Sequence, residues 1–347
     1  NKINSTKIIA YLIYAAIFWF AITFLIYPNL NILKVIFFQN GTFKTDSIGK
    51  LFSSARAVKS LKNSFILATT MIITVNIIGI FLVLVVDYFE VKGAKILKLG
   101  YMTTLIYSGV VLVSGYKFIY GSNGIMTQMM SSIFPTFNKG WFEGYLAVSF
   151  IATFSSTSNH IIFLSNALRK IDYSTVEAAK NMGASQFYIL RKVVLPVLKP
   201  TIYALTVLLF IAGLGATSAS LIVGGKDFQT IGPMILTFSQ SATSRDLAAV
   251  LALLLGIATL LLLTVMMYFE KKGNFMSISK TKSEIQKQKI NNPVVNVIVH
   301  VAAYILFLLY IIPVVFVVIF SFTNAQSISS GIISGFTLIN YIDVFSS

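Results

Sequence analysis

Long runs of apolar residues alternate with short polar segments along the chain. Seven runs reach the length of about 20 residues that a helix needs to cross a bilayer. They lie near residues 8–27, 65–86, 99–119, 145–166, 201–223, 247–269 and 297–320. The first run is too long for the apolar core of a signal peptide and lacks a small-x-small cleavage site, so it too is predicted to be a span. The pattern predicts an all-α, polytopic membrane helical bundle.

One polar segment is long enough to divide the chain. Residues 270–296 are basic and nearly free of large apolar side chains, which is typical of a linker. The sequence after it resembles the start of the chain at an offset of 293, with Tyr304 matching Tyr11. Internal repeats of this size are common in transporters. We therefore expect a first domain over 1–269, then the linker, then the start of a truncated second domain over 297–347.

Composition supports a membrane location. Of the 347 residues 56% are hydrophobic and 11% are charged, and the mean hydropathy of +0.82 is far above that of a soluble globular protein. The chain has no cysteine and only two histidines, so we expect no disulfide and no metal site. The net charge of +16 resides in loops between spans. It predicts contact with membrane lipid and no nucleic-acid partner.

The distribution of Lys and Arg predicts the orientation. If the N-terminus lies in the cytoplasm, 17 of the 27 basic residues fall in cytoplasmic segments and 10 fall in external loops. The positive-inside rule favours this arrangement. The polar segment between the fourth and fifth runs then lies in the cytoplasm, as does the linker.

That polar segment is a charged island with its own helix signals. Ser174 precedes Glu177 by three residues, the spacing at which a serine caps a helix and a glutamate bonds back to it. Gly183 is placed to end this helix in a left-handed conformation, and Ser185 can cap a second one. Two short helices, broken at Gly183 and ended by Pro196, are therefore predicted.

The island, residues 172–200, resembles the EAA loop of ABC-importer permeases. The positions that match the family pattern are Glu177, Ala178, Ala179, Gly183, Leu195 and Pro196. Val193 departs from it, because the family usually has isoleucine there. In that family the loop docks into a groove on a separate ATPase subunit, so the resemblance implies that these six residues couple the chain to an ATPase. Glu177 can complete the cap or face the ATPase, and an ordinary capped hairpin between spans is the alternative.

The resemblance also implies a fold, partners and a location. The fold is that of a type I ABC-importer permease, with about six core spans plus the first span of a second repeat. The implied partners are a dimer of ABC ATPase subunits and an extracytoplasmic substrate-binding protein, at the inner (cytoplasmic) cell membrane. The chain has no Gly-x-x-x-x-Gly-Lys-Ser/Thr segment, so ATP and Mg²⁺ are expected on the ATPase. We expect this chain to bind no cofactor and to be no enzyme.

Two short segments resemble one branch of the family. Residues 118–126, with Gly121 and Gly124, resemble a segment of iron(III)-, spermidine- and putrescine-type permeases, and residues 227–231 resemble an outer loop of the iron type. These resemblances imply import of iron(III), with polyamine, thiamine or phosphonate as alternatives. An exporter would usually carry a fused nucleotide-binding domain and a channel would need a filter loop, and neither is visible in the sequence.

The fourth apolar run contains the densest polar cluster of any span. Ser155, Ser158, Asn159 and His160 lie near its centre. Polar groups in hydrocarbon must find water, substrate or a neighbouring helix. The cluster therefore predicts either a translocation path or hydrogen bonds between packed helices. A membrane-embedded hydrolase is the alternative from another class, but no acidic residue of a span accompanies His160 to orient it, and we predict no catalytic residue.

Overall fold

A computed structural model describes residues 5–39, 42–43, 45–272 and 286–346. The helices of the first half are α1 (Ser5–Phe20), α2 (Tyr27–Phe37), α3 (Asp46–Ser53), α4 (Ala55–Val83), α5 (Ala94–Met102), α6 (Gly109–Tyr120), α7 (Ile125–Ile133), α8 (Tyr145–Ser156) and α9 (Ser158–Leu168). Those of the second half are α10 (Tyr173–Asn181), α11 (Gln186–Ile189), α12 (Leu195–Leu214), α13 (Ser218–Val223), α14 (Ile231–Ser239), α15 (Arg245–Lys272), α16 (Pro293–Ser321), α17 (Ala325–Ser330) and α18 (Ile339–Ser346). Strands β1 (Phe38–Gln39) and β2 (Thr42–Phe43) pair antiparallel.

Six segments of the described chain are helices long and apolar enough to cross a membrane. They are Lys7–Phe37, Ala55–Tyr88, Tyr145–Leu168, Gln186–Leu214, Arg245–Tyr268 and Pro293–Ser321. Two of them join two helices through a π-helical turn, at Ala21–Ile26 and Leu190–Val194, and the span Ala55–Tyr88 ends in a third such turn, Leu84–Tyr88. The predicted all-α, polytopic bundle is confirmed.

The predicted span 99–119 is not one continuous helix, because this segment forms two helices. The pair Ala94–Leu105 and Gly109–Ile133 is bent by 113°. A 3₁₀ turn closes the first helix, and Ser108 caps the second, its Oγ accepting from the Val111 N–H at 3.5 Å. The break between the helices contains no charged residue, no proline and no glycine, so the run of hydrophobic positions does not reveal it.

The predicted span 201–223 is displaced. Its helix begins at Gln186 and ends at Leu214, and α13 is a separate helix. Pro196 does not end the island, because the helix that begins at Gln186 continues through it into α12. Pro200 lies inside α12. The π-helical turn before α12 is the kind of local adjustment that accommodates proline in membrane helices.

The first span extends beyond its predicted end at residue 27. Pro28 lies in the first turn of α2, so the helix continues to Phe37. Among the described residues none covers the most apolar part of this span, where no side chain is buried. Its exposed side chains therefore face lipid or another chain.

The core lies where α4 and α12 cross. Gly213 lies against the backbone of Ala68, so close that a Cβ at Gly213 would be 2.4 Å from the Ala68 Cα. A second contact of this kind joins α6 and α16, where a Cβ at Gly115 would be 2.7 Å from the Pro313 carbonyl oxygen. Small residues let membrane helices approach in this way.

The predicted second domain begins with α16, which packs on the first domain. The Tyr101 hydroxyl donates to the Ala303 carbonyl at 2.7 Å, and the side chain of Phe307 covers Gly100. Residues 273–285 of the predicted linker lie outside the described residues. The division into two domains stays a prediction.

Candidate coupling loop and polar helix break

The charged island forms a helix, a left-handed turn and the start of a long helix. Asp172 caps α10, its Oδ1 accepting from the Ser174 N–H at 3.1 Å. The predicted cap at Ser174 is therefore wrong, because an aspartate two residues earlier supplies the acceptor and Ser174 lies inside the helix. Gly183 has φ +81°, and its N–H donates to the Lys180 carbonyl at 2.8 Å. This is the left-handed helix end that the sequence predicts.

The second helix differs from its prediction. Ser185 caps α11 as expected, its Oγ accepting from the Tyr188 N–H at 3.3 Å. Yet α11 does not stop before the membrane. It continues through the turn Leu190–Val194 into α12, so the island contains one short helix and the first turns of a span. The turn at Gly183 is therefore followed closely by a helix that is continuous with the span.

The six predicted coupling residues do not share one environment. Ala179 is buried, Leu195 is half-buried, and Glu177, Ala178, Gly183 and Pro196 are exposed. Glu177 makes no hydrogen bond or ion pair within the described parts of the chain, and its predicted bond back to the cap is not formed. Val176 and Ala179 hold the inner face of α10 in the main core, and Ile189 does the same for α11.

Three exposed apolar residues of the loop were missed by the sequence argument. Met182, Phe187 and Tyr188 have exposed fractions of 81%, 70% and 54%. They flank the left-handed turn, between Lys180 and Arg191. The sequence shows these three residues as apolar positions inside a polar island. Their exposure depends on which face of each helix packs inward, which the sequence does not show.

The polar cluster of the fourth span lies at a break in that span, between α8 and α9. Thr157 stands at the break, where its Oγ1 donates to the Phe154 carbonyl and also hydrogen-bonds the Tyr310 hydroxyl of α16. His160 is fully buried. Its Nε2 donates to Asn76 Oδ1 at 3.0 Å, and the Asn76 amide donates to Thr206 Oγ1 at 3.0 Å. This network joins α9, α4 and α12.

The cluster divides between the inside and the outside of the bundle. Ser158 is buried like His160, while Ser155 is half-buried and donates to the Ala152 carbonyl at 3.1 Å. Asn159 is exposed and makes no hydrogen bond within the residues that the structure describes. Asn166, two turns further on, is exposed as well. The outward face of this span is thus polar at Ser155, Asn159 and Asn166.

The comparisons with known proteins agree with this architecture. The family model described as "Binding-protein-dependent transport system inner membrane component" matches residues 48–272. The chain belongs to this family. The matched region of this inner membrane component contains the whole island and the polar cluster, and the predicted resemblance to ABC-importer permeases is confirmed.

Relatives of this inner membrane component carry several names. The "Probable ABC transporter permease protein y4fN" of Sinorhizobium fredii is 40% identical over 328 residues, 94% of this chain and 58% of that protein. The "Putative ferric transport system permease protein FbpB 1" of Haemophilus influenzae is 24% identical over 214 residues, 61% of this chain and 33% of that protein. The "Putative 2-aminoethylphosphonate transport system permease protein PhnU" of Salmonella typhi is 22% identical over 219 residues, 62% of this chain and 75% of that protein.

The chain spans 58% and 33% of the length of the first two of these relatives. Among solved structures, a chain of a bacterial ABC transporter involved in the import of the acidic polysaccharide alginate matches with a TM-score of 0.63 at 16% identity. The match covers 78% of this chain and 96% of that chain. At this identity the likeness establishes the fold, which is that of an ABC-importer permease.

Proposed function

We propose that this chain is a membrane-spanning permease subunit of an ATP-driven importer, and that residues 172–196 dock on a separate ATPase subunit. The observation that carries the proposal is the exposed apolar surface formed by Met182, Phe187 and Tyr188 on a rigidly held loop. Methionine and aromatic side chains are enriched at the centres of protein interfaces. Ala178 and Gly183 beside them leave room for close approach of a partner.

The orientation follows from the same proposal. The loop lies in the cytoplasm, where ATP is, and the N-terminus lies at the same end of the bundle. ATP and Mg²⁺ bind to the ATPase, and this chain contributes no phosphate-binding loop. The loop then acts as the contact through which ATP-driven movement reaches the spans.

The outward polar face of the fourth span supports a translocation path. Asn159 is exposed near the middle of this span, and Ser155, one turn before it, is half-buried. Polar groups at that depth need a partner other than lipid. We propose that they border the route between two permease halves, whereas Ser158 and His160 belong to packing inside this half.

The hydrolase alternative gains no support from the geometry. His160 Nε2 is bonded to Asn76, and its Nδ1 has no hydrogen-bond partner within the described residues. Neither ring nitrogen is bonded to the hydroxyl of Ser155 or Ser158, so the nucleophile–base pair that such chemistry needs is not formed.

The end opposite the loop supports docking of an extracytoplasmic substrate-binding protein. A cleft of about 420 Å³ there is lined by three cations, Arg56, Lys59 and Lys226. Lys59 pairs with Asp227 at 3.5 Å, and the Asp227 carboxylate is itself almost fully exposed. Cations concentrated on an external face oppose the positive-inside trend, and they would attract an acidic partner surface.

Iron(III) is the substrate that we propose. The glycine pair at Gly121 and Gly124 and the relative named as a ferric transport permease support it. The relative named for 2-aminoethylphosphonate keeps phosphonate as the alternative, and polyamine and thiamine remain from the sequence resemblance.

Copurification of the complete protein with its ATPase subunit tests the proposal. Phe187→Glu places a charge in the proposed contact, and we expect recovery of the ATPase to fall by about tenfold or more, as for an interface hot spot. Phe336→Glu is the matched control, because Phe336 is equally exposed, at 73%, but lies at the opposite end. Equal recovery with both variants would refute docking at this loop.

A further inference from the structure

A polar segment of the predicted linker crosses the coupling-loop end of the bundle. We call residues 286–291 the strap. Its Gln288 pairs with the end of the second span as a short parallel bridge, the Gln288 N–H donating to the Tyr88 carbonyl at 2.8 Å and the Glu90 N–H donating to the Gln288 carbonyl at 2.9 Å. The Lys287 ammonium donates to the Val86 carbonyl at 2.6 Å. The strap is thereby fixed to the second span.

Two opposing effects act on the charge of Lys287 in the strap. Partial burial lowers the pKa of Lys287, while the nearby Asp87 carboxylate acts in the opposite direction. Asp87 is held by the Lys98 ammonium, at 2.8 Å and 2.9 Å, and by the Ser165 hydroxyl. The strap therefore lies on a polar surface that is formed by α5, α9 and the end of the second span.

Gln186 connects the strap to the coupling loop. Its side-chain Nε2 donates to the Lys289 carbonyl, and its Oε1 accepts from the Asn291 N–H at 3.1 Å. Gln186 is the first residue of α11, directly after the left-handed turn. Two hydrogen bonds therefore join segments that lie 103 and 105 residues apart in sequence.

The strap leads directly into α16. Asn292 caps this helix, its Oδ1 accepting from the N–H groups of Val294 and Val295 at 2.9 Å and 3.2 Å. His300 Nε2 then accepts from the Lys92 N–H at 3.3 Å. Because α16 packs along α5 and α6, a pull on the strap acts on those helices as well.

We propose that Gln186 is a positioning residue that fastens the coupling loop to the strap, so that movement of the loop is delivered to α16 as well as to its own span. This inference rests on the proposed coupling function of the loop. Through it one ATPase contact drives two spans of the bundle. The linker then serves as a mechanical part of the coupling device and not only as a connection between domains.

Hydrogen exchange of the complete protein tests the fastening itself. Gln186→Met removes both hydrogen bonds at nearly constant side-chain length, and we expect the Asn291 amide to exchange about fivefold faster or more. Gln186→Glu keeps the acceptor for Asn291 and should leave that amide close to the unaltered protein. Gln286→Met is the matched control, because its side chain makes no hydrogen bond within the described residues. Unchanged exchange at Asn291 in Gln186→Met would overturn the inference.

The delivery of movement is tested in the complex with the ATPase subunit. Exchange in the first two turns of α16 should differ between ATP-trapped and nucleotide-free complexes, and Gln186→Met should abolish that difference while α10 still responds. If the difference at α16 survives in Gln186→Met, the inference fails alone. If the ATPase does not bind the unaltered protein at all, the proposed function fails, which is a distinguishable result.

Discussion

Replacing Gly183 by valine tests whether the left-handed turn is needed for coupling. An L-residue at φ +81° costs about 1–2 kcal/mol, and a β-branched residue is among those least able to adopt it. A Cβ at Gly183 would meet no atom within 4 Å apart from its chain neighbours, so packing leaves open space at this position. The whole effect should therefore arise from the backbone. A cost of 1–2 kcal/mol lowers the population of the turn by about 5- to 30-fold.

Gly183→Asn provides the matched control. Asparagine places a Cβ in the same open space but tolerates the left-handed region. We expect Gly183→Val to lose most ATPase association and ATP hydrolysis in nanodiscs, and Gly183→Asn to retain most of both. Both variants should elute as intact monodisperse protein, because the spans do not depend on this turn. Equal ATPase association with valine and asparagine would refute the reasoning that the turn geometry matters.

Two further substitutions test the bundle and the proposed path. Gly213→Ala should destabilise the protein by about 1–3 kcal/mol, because its Cβ would overlap the backbone of Ala68. Heating followed by size-exclusion chromatography measures this loss of stability. The control is Gly256→Ala, which should be neutral or stabilising because a Cβ there meets nothing within 4 Å. In this cysteine-free chain, Asn159→Cys should react with small polar thiol reagents in an ATP-dependent way and Ser158→Cys should not; equal labelling of both would contradict the division between outward and buried positions.

The sequence was sufficient where local chemistry decides the structure. Runs of about 20 apolar residues identified most spans, and Gly183 and Ser185 behave as a helix end and a cap because those roles depend only on nearby backbone. It was insufficient where two local signals compete. Asp172 and Ser174 are both good caps, and their order along the chain does not say which one the helix uses.

The features that could not be predicted from the sequence depend on packing between distant segments. Pro196 predicts the end of a helix, yet the helix continues through the π-helical turn that precedes it. The sequence predicts His160 as a candidate site residue, whereas in the structure it hydrogen-bonds Asn76, which is 84 residues away. The sequence gives no indication of the hydrogen bonds made by Gln186, because its partners lie about a hundred residues downstream.

The continuity of Gln186–Leu214 has a mechanical consequence. Its 29 residues form a helical rod about 43 Å long, from the exposed turn at one end to Gly213 near the other. At Gly213 this rod lies against the backbone of Ala68 in α4, so close that a Cβ there would be 2.4 Å from the Ala68 Cα. The π-helical turn and Pro200 are the places where the rod can bend. A push on the loop should therefore tilt the membrane part of α12 about its contact with α4, and the strap at Gln186 would move α16 in the same step.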